Sequence, residues 1–149
     1  MPEARFEVIG LADPQAYKGH PPNIRFTGRL GAEALREAYR RAGWYVQWSL
    51  SEGMPNALCE AMLCGCIPLV SDISSMPEIV TGSGLVLRHC DPEEAATACR
   101  TALELTTEDR RLRRIAARER IAGHFSAQRR LQALLAVLGH APGPVAGAA

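Results

Sequence analysis

The sequence predicts an α/β fold with a doubly wound, mostly parallel sheet. Short apolar segments rich in β-branched and aromatic residues alternate along the chain with segments in which apolar residues recur at helical spacing. Gly and Pro residues separate these segments, as they do at turns and helix ends. Strands that alternate with helices favour a parallel sheet, because each crossover helix returns the chain to the same end of the sheet.

The first half of the chain alternates strands with a loop and a helix. Leu35, Tyr39 and Ala42 recur at helical spacing and predict a helix between two strand-like segments. Four Pro and Gly residues after the first strand favour a loop where a crossover helix would be expected. The predicted elements are strands at residues 6–9, 24–27 and 44–49, a loop at 12–23 and a helix at 31–42.

The second half continues the alternation and then becomes helical. Pro55 suits the first position of a helix, where the missing N–H costs nothing, and no further helix breaker occurs before Gly65. Asp91 and Pro92 supply an acceptor cap and a first-position proline for a later helix. Further predictions are strands at residues 67–71 and 85–87, a short helix at 77–80, mostly helical structure over 91–138, and a disordered Gly/Pro/Ala tail at 139–149.

Two glutamates follow the third predicted strand, Glu52 in a loop and Glu60 more than one turn inside the next helix. In open α/β sheets the ligand crevice lies at the carboxyl ends of the strands, so both carboxylates are expected to border one cleft. The amides of Asn56, Ala57 and Leu58, the first free N–H groups of the helix, suit a phosphate. Two carboxylates would repel a bare phosphate, but they fit a sugar nucleotide, whose hydroxyls donate to carboxylates.

Sequence segments on both sides of this pair match the motifs of one enzyme family in their order. They are Asn-Ile-Arg-Phe-Thr-Gly at 23–28, Glu-Gly-Met-Pro-Asn at 52–56, Glu-Ala-Met-Leu-Cys-Gly at 60–65, Ile-Pro-Leu-Val-Ser-Asp at 67–72, Pro-Glu-Ile-Val at 77–80 and Gly-Leu-Val-Leu at 84–87. With these motifs the chain resembles the retaining, nucleotide-sugar-dependent glycosyltransferases of the GT-B fold, family 4. The resemblance covers roughly residues 5–138 and is to the second half of the Rossmann-like, C-terminal donor-binding domain.

The resemblance implies a role for each residue of the motifs. Glu60 would accept hydrogen bonds from the ribose of the donor, and Glu52, the expected catalytic carboxylate, would face the donor sugar. The amides of Asn56 and Ala57 would meet the distal phosphate. The resemblance also places Gly53, Met54 and Pro55 in the donor-binding loop and Arg29 and Leu30 near the base. Family members retain the anomeric configuration without requiring a metal, so neither a metal nor a cofactor other than the donor substrate is expected.

The sequence departs from the family's pattern in two places. Met54 stands where the family often has Phe, and Ser74 and Ser75 stand where a Gly pair is frequent. These departures concern the details of the loops around the site and not the class of protein, because neither of them replaces one of the two glutamates.

Parts of the family's enzymes are not found in this sequence. Family members begin the domain with a strand, a Gly-Arg turn and a Lys-Gly step, which supply cations for the leaving diphosphate. They also have an N-terminal acceptor domain, to which nothing in this sequence corresponds. Loss of even one such donor costs about 100- to 1000-fold in rate, so the isolated chain is expected to be incomplete, and a poor catalyst or inactive. We therefore interpret residues 1–138 as a partial domain, which comes either from a longer polypeptide or from a truncated reading frame. Because the missing strand is central in the order 3-2-1-4-5-6, two open edges or an unusual direct pairing are expected.

Two other classes of function share parts of this pattern. A catalytically inactive nucleotide-sugar-binding or regulatory fragment could keep the fold without the missing cations. A Rossmann-type cofactor domain would need a Gly-x-Gly-x-x-Gly turn after a strand, and residues 9–14 do not supply one.

Composition and charge exclude several partners. The 149-residue chain has a net charge of +1, which makes no electrostatic case for nucleic acid. No apolar run approaches the ~18 residues that span a membrane, and the N-terminus lacks a signal-peptide core. The five cysteines form no Cys-x2-Cys pair, which favours buried reduced thiols over a metal site. Their odd number, without a secretion signal, favours a cytoplasmic location.

The basic segment at residues 110–115 allows two interpretations. Leu112 and Ile115 lie on one helix face with the arginines in water, partly offset by neighbouring acids, and this reading is favoured. A peripheral contact with an anionic membrane is the alternative, because enzymes of the family often build lipid-linked or cell-surface glycans.

Overall fold

A computed structural model of the chain describes residues 3–89 and 91–139. Helices and strands alternate up to residue 87, and helices follow, as predicted. The strands are β1 (Phe6–Leu11), β2 (Ile24–Gly28), β3 (Trp44–Gln47), β4 (Ile67–Ser71) and β5 (Leu85–Leu87). The helices are α1 (Ala32–Arg41), α2 (Asn56–Leu63), α3 (Met76–Val80), α4 (Pro92–Glu104), α5 (Thr107–His124) and α6 (Ala127–Val137), and a 3₁₀ turn at Pro14–Ala16 interrupts the predicted loop.

All strand pairs in the described residues are parallel, as predicted, and the strands form two sheets, which is the expected alternative of two open edges. β1 pairs with β2, and β3, β4 and β5 form the second sheet in that order. Within the described residues no ladder joins β1 to β3, and Phe6 of β1 and Trp44 of β3 both line a small cavity of about 50 Å³. In the strand order 3-2-1-4-5-6, the break falls where the central first strand is expected. The chain is thus a partial Rossmann-like α/β structure.

Helices cover both faces of the three-stranded sheet, which makes it doubly wound. On one face, Val70 packs into a core with Leu58 of α2, Ile79 of α3 and Ile121 of α5. On the other face, Leu69 packs in a cluster with Ala95 of α4. Successive residues of a strand point to opposite faces, so a strand covered on both sides buries every residue. All five residues of β4 are buried accordingly.

The helix that carries Glu60 begins one residue later than predicted. Pro55 is its N-cap, with an extended backbone (φ −74°, ψ 107°), and is not the first helical residue. Neither position has an intrahelical partner for an N–H, so proline's missing donor costs nothing at either. The predicted end at Gly65 is confirmed, since Gly65 adopts φ +85° and its N–H donates to the carbonyl of Met62 at 2.9 Å.

The third strand ends at Gln47, two residues before the predicted end. The Ser49 N–H donates to Oγ of Ser71 at 3.1 Å, and this side-chain bond directs the chain away from the ladder. Trp44 and Trp48 fall on one face of the predicted strand, so the sequence predicts that both pack in the core. Trp48 is instead 41% exposed. Trp44 is half-buried and packs against the cluster around Leu69, as expected.

The helical region from residue 91 divides into three helices with capped starts. The Asp91 side chain accepts from the Glu94 N–H at 3.0 Å and Pro92 opens the helix, as predicted. Thr106 and Ser126 cap the next two helices in the same way, and these caps end the preceding helical segments. Of the predicted tail at 139–149, only Gly139 belongs to the described residues.

Candidate functional site

The loop between β3 and α2, residues 48–55, is fixed to the sheet and to α3 by hydrogen bonds. The Ser49 N–H donates to Ser71 at the end of β4, as described above. Further along the loop, Oγ of Ser75 donates to the carbonyl oxygen of Gly53 at 2.7 Å. These bonds hold the loop at the carboxyl ends of β3 and β4, the edge at which open parallel sheets bind ligands.

Glu52 is half-buried in this loop and its carboxylate is held on one side. Its Oε1 accepts two hydrogen bonds of 2.8 Å, from Nε2 of Gln47 and from Oγ of Ser49. Oε2 accepts no hydrogen bond from any residue that the structure describes. One oxygen of the carboxylate is therefore anchored by the protein, and the other is available to a ligand hydroxyl.

Glu60 is exposed on α2, four residues after the helix begins, as predicted. Glu60, Asn56 and Met54 line a cavity of about 390 Å³, a size within the usual range for small-molecule sites. The apolar walls of the cavity are formed by Leu63 of α2, Ile121 of α5, Phe125 directly after α5, and Leu131 and Leu134 of α6. Arg130 of α6 adds a cation. Glu52 does not line this cavity, so the cavity does not confirm the expectation that both carboxylates border one cleft.

Two tyrosines connect the surroundings of the two glutamates. Burial raises the pKa of Tyr45 well above its usual range, and the charges of Tyr39, Glu52 and Glu60 raise it further. Burial and the charge of Glu60 likewise raise the pKa of Tyr39. The two rings meet edge to face with centroids 5.8 Å apart. The charges of both carboxylates thus act on the pKa of one half-buried phenol.

The N-terminus of α2 leaves its first amides outside the helical hydrogen-bond ladder. The N–H of Cys59 is the first to donate to a carbonyl of this helix, that of Pro55 at 3.3 Å. Pro55 offers no side-chain cap, so the amides of Asn56, Ala57 and Leu58 have no partner in the described part of the chain. Free amides at a helix start attract anions.

The remaining sequence-predicted residues lie near the ends of the same elements. Arg29 is exposed and Leu30 is half-buried, and both follow β2 directly. Gly53 and Met54 are exposed in the loop, where Sδ of Met54 accepts a contact of 3.6 Å from the Arg130 guanidinium. The structure therefore brings Met54, Asn56 and Glu60 together at one cavity, while Arg29 and Leu30 are not part of its lining.

Sequence reasoning missed three residues that surround the site. Tyr45 and Gln47 appeared only as members of a strand, although their alternation on β3 places them on one face. Arg130 lies on α6, and nothing in its local sequence indicates contact with the loop of Met54. The alternating Tyr-Val-Gln pattern could have indicated the first two, whereas the third depends on how α6 packs.

The arginines of the basic segment contact the chain itself. Arg110 donates to the carbonyl of Leu103, and Arg113 donates to the carbonyl of Gly84 at 3.4 Å. Arg111 pairs with Glu108 through two hydrogen bonds of 2.8 Å. The favoured expectation that all of these arginines lie in water is therefore wrong for Arg110 and Arg113, whose donors reach neighbouring backbone.

No cysteine thiol in the described residues is fully exposed. Burial raises the pKa of the Cys66 thiol to about 11, and its Sγ donates to the carbonyl of Tyr39 at 3.1 Å. Cys59 and Cys99 are half-buried, and Cys90 lies outside the described residues.

Across residues 3–89 and 91–139, no three His, Cys, Asp or Glu side chains are grouped to hold a metal ion. None of the helices in those ranges combines the length and apolar character needed to cross a membrane.

Comparison with known proteins agrees with the resemblance found in the motifs. The chain is similar to O-antigen chain mannosyltransferase B of Escherichia coli, with 33% identity over 86 residues. This alignment covers 58% of the chain but only 22% of the relative, so the chain spans a minor part of the relative's length. The family described as glycosyl transferases group 1 matches residues 1–105, which is more than half of the chain. The chain therefore belongs to the group 1 glycosyl transferases, enzymes of the GT-B fold.

Proposed function

We propose that this chain supplies the donor-binding half of a retaining glycosyltransferase of family 4, which transfers a sugar from a nucleoside-diphosphate sugar to an acceptor. One observation carries the proposal. A loop anchored at the carboxyl ends of β3 and β4 presents the half-bonded carboxylate of Glu52 and leads directly into the open N-terminus of α2, with Glu60 on the same helix. Carboxylates beside free helix amides match a ligand with both hydroxyls and a diphosphate.

Each residue has a role in this proposal. Glu60 accepts hydrogen bonds from the ribose, and Glu52 holds the donor sugar through Oε2. The amides of Asn56 and Ala57 bind the distal phosphate, while Gly53, Met54 and Pro55 shape the loop around it. Arg29 and Leu30 contribute contacts to the base. The donor is bound without a metal ion.

The acceptor and the rest of the catalytic machinery belong to parts of the enzyme outside this chain. The E. coli relative is named a mannosyltransferase, so an activated mannose is the first donor to test. We place the enzyme in the cytoplasm, and its contact with an anionic membrane surface, if the acceptor is lipid-linked, is a further part of the proposal.

Titration calorimetry of the chain with GDP-mannose, UDP-glucose, GDP and UDP tests donor binding. Glu60→Ala is expected to weaken the binding of its preferred nucleotide by about 1.5–3 kcal/mol, with and without the sugar, because the ribose is common to both ligands. Glu119→Ala, which removes an exposed glutamate from α5, is the matched control and should bind normally. Equal affinities of Glu60→Ala and the unaltered chain would reject the assignment.

Turnover separates the transferase from a binding-only fragment. The isolated chain is expected to bind the donor but to release diphosphate slowly, because the proposed site has few fixed cations near the leaving group. A coupled assay for nucleoside diphosphate release measures this. If the chain binds donor and remains inactive when supplied with both the acceptor half and the cation-bearing start of the donor-binding domain of a family member, the regulatory alternative is favoured.

A further inference from the structure

We propose that Gln47, held in turn by Tyr45, is a positioning residue that orients Glu52 so that Oε2 faces the donor sugar. This inference rests on the proposed function and names the residues that prepare its central carboxylate. The chain of contacts is continuous, since Oη of Tyr45 donates to Oε1 of Gln47 at 3.1 Å and Nε2 of Gln47 donates to Oε1 of Glu52 at 2.8 Å.

The carboxylate dictates the orientation of the Gln47 amide. An ionised carboxylate only accepts hydrogen bonds, so the NH₂ group of the amide must face Glu52 and its carbonyl must face away. That carbonyl is the acceptor for the Tyr45 hydroxyl. A phenol that stays protonated can keep donating, and burial holds the pKa of Tyr45 high. The amide therefore has one favourable orientation instead of two.

A second donor fixes the same carboxylate oxygen from another direction. Oγ of Ser49 donates to Oε1 of Glu52 at 2.8 Å, and the N–H of Ser49 is itself bonded to Ser71, which is buried at the end of β4. Oε1 accepts both hydrogen bonds, so neither of them involves Oε2. A carboxylate held by two charge-assisted hydrogen bonds loses rotational freedom before the ligand arrives, and such preorganisation favours binding.

The position of these donors on the sheet accounts for their rigidity. Tyr45 and Gln47 are alternate residues of β3 and point to the same face, where Tyr45 packs against the core formed by α2, α3 and α5. Sites supported by strands are more precise than sites supported by loops alone. Glu52 lies in a loop, so the strand supplies the precision that the loop lacks.

The test compares the affinity for a nucleotide sugar with that for the corresponding nucleoside diphosphate. Gln47→Met keeps the length of the side chain and removes its amide. We expect this variant to bind GDP-mannose or UDP-glucose about 3- to 30-fold more weakly, with unchanged affinity for GDP or UDP, because only the sugar meets Glu52. Tyr45→Phe keeps the ring and should show a smaller effect of the same kind. Gln128→Met, at an exposed glutamine of α6, is the control for the substitution itself.

The outcomes distinguish this inference from the proposed function. A general structural role of Gln47 would weaken the binding of diphosphate and nucleotide sugar together, which would overturn the inference. An unchanged sugar-dependent affinity in Gln47→Met, beside a clear loss in Glu52→Gln, would overturn the inference alone. Failure of the unaltered chain to bind any of the four nucleotides would overturn the proposed function, and the inference with it.

Discussion

The hydroxyl of Ser75 donates to the carbonyl oxygen of Gly53 at 2.7 Å, and this bond connects the loop of Glu52 to the start of α3. The two residues are 22 positions apart in the chain, so the bond depends on the packing of α3 beside β4. In the sequence, Ser75 is one of two serines that stand where the family frequently has a pair of glycines. The structure gives that departure a contact with the candidate site.

Ser75→Ala should lower the free energy of unfolding by about 0.5–1.5 kcal/mol, the usual net contribution of one hydrogen bond. The loop would also lose a restraint, so donor affinity should fall modestly. Urea denaturation followed by tryptophan fluorescence measures the first effect. Ser51→Ala is the control, because the Ser51 hydroxyl bonds to none of the residues that the structure describes. Equal losses in the two variants would contradict the role of the bond.

Ser74 adopts φ +50°, a left-handed conformation that costs a residue with a Cβ about 1–2 kcal/mol. Ser74→Gly removes this cost, but the greater conformational entropy of Gly in the unfolded state costs about 0.5–1 kcal/mol, so the variant should be up to about 1.5 kcal/mol more stable. Ser74→Val should instead lose stability, because a β-branched residue tolerates this conformation poorly. Thermal unfolding of both variants checks the order, and a more stable valine variant would contradict the backbone argument.

Gly84 packs directly against Pro68 in the neighbouring strand. A Cβ at Gly84 would lie 2.5 Å from the carbonyl oxygen and 2.6 Å from Cγ of Pro68, and neither atom can move without shifting the backbone or a proline ring. Gly84→Ala should therefore destabilise the chain by about 1–3 kcal/mol or more, as overpacking does. Gly43→Ala is the control, since a Cβ there has no neighbour within 4 Å. Chemical denaturation of the two variants should separate them clearly.

Cys66 links stability to pH in the alkaline range. Burial raises its pKa from 9.0 to about 11, so above pH 9 the unfolded chain releases a proton that the folded chain retains. The unfolded state then binds fewer protons, and the free energy of unfolding falls as the pH rises from about 9 to 11. Below pH 9 this contribution is constant.

The difference in stability between the unaltered chain and Cys66→Ala isolates this effect, because Tyr39 and Tyr45 titrate in both. We expect the difference to become smaller between pH 8 and pH 11 in urea denaturation experiments. The pH-independent part of the difference reports the loss of packing and of the hydrogen bond from Sγ to the carbonyl of Tyr39. A difference that stays constant over this range would show that Cys66 titrates equally in both states.

Local patterns were sufficient for most of the fold because they depend on neighbouring residues. The start of α4 at Asp91 and Pro92 and the end of α2 at Gly65 follow from cap chemistry within a few residues, and both are confirmed. The strand that carries Trp44 was predicted too long, because a side chain from another strand, Ser71, ends it. Caps are local, but that hydrogen bond is not.

The sequence by itself determined the α/β alternation, the parallel pairing and the motif that joins Glu52, Pro55 and Glu60, because each depends on periodicity or short spacing. The tertiary structure decided that β1 and β3 remain unpaired with each other, that Gln47 bonds to Glu52, and that Arg130 reaches the loop of Met54. Spacing along the chain determines which elements form, but contacts between side chains distant in sequence exist only once those elements have packed.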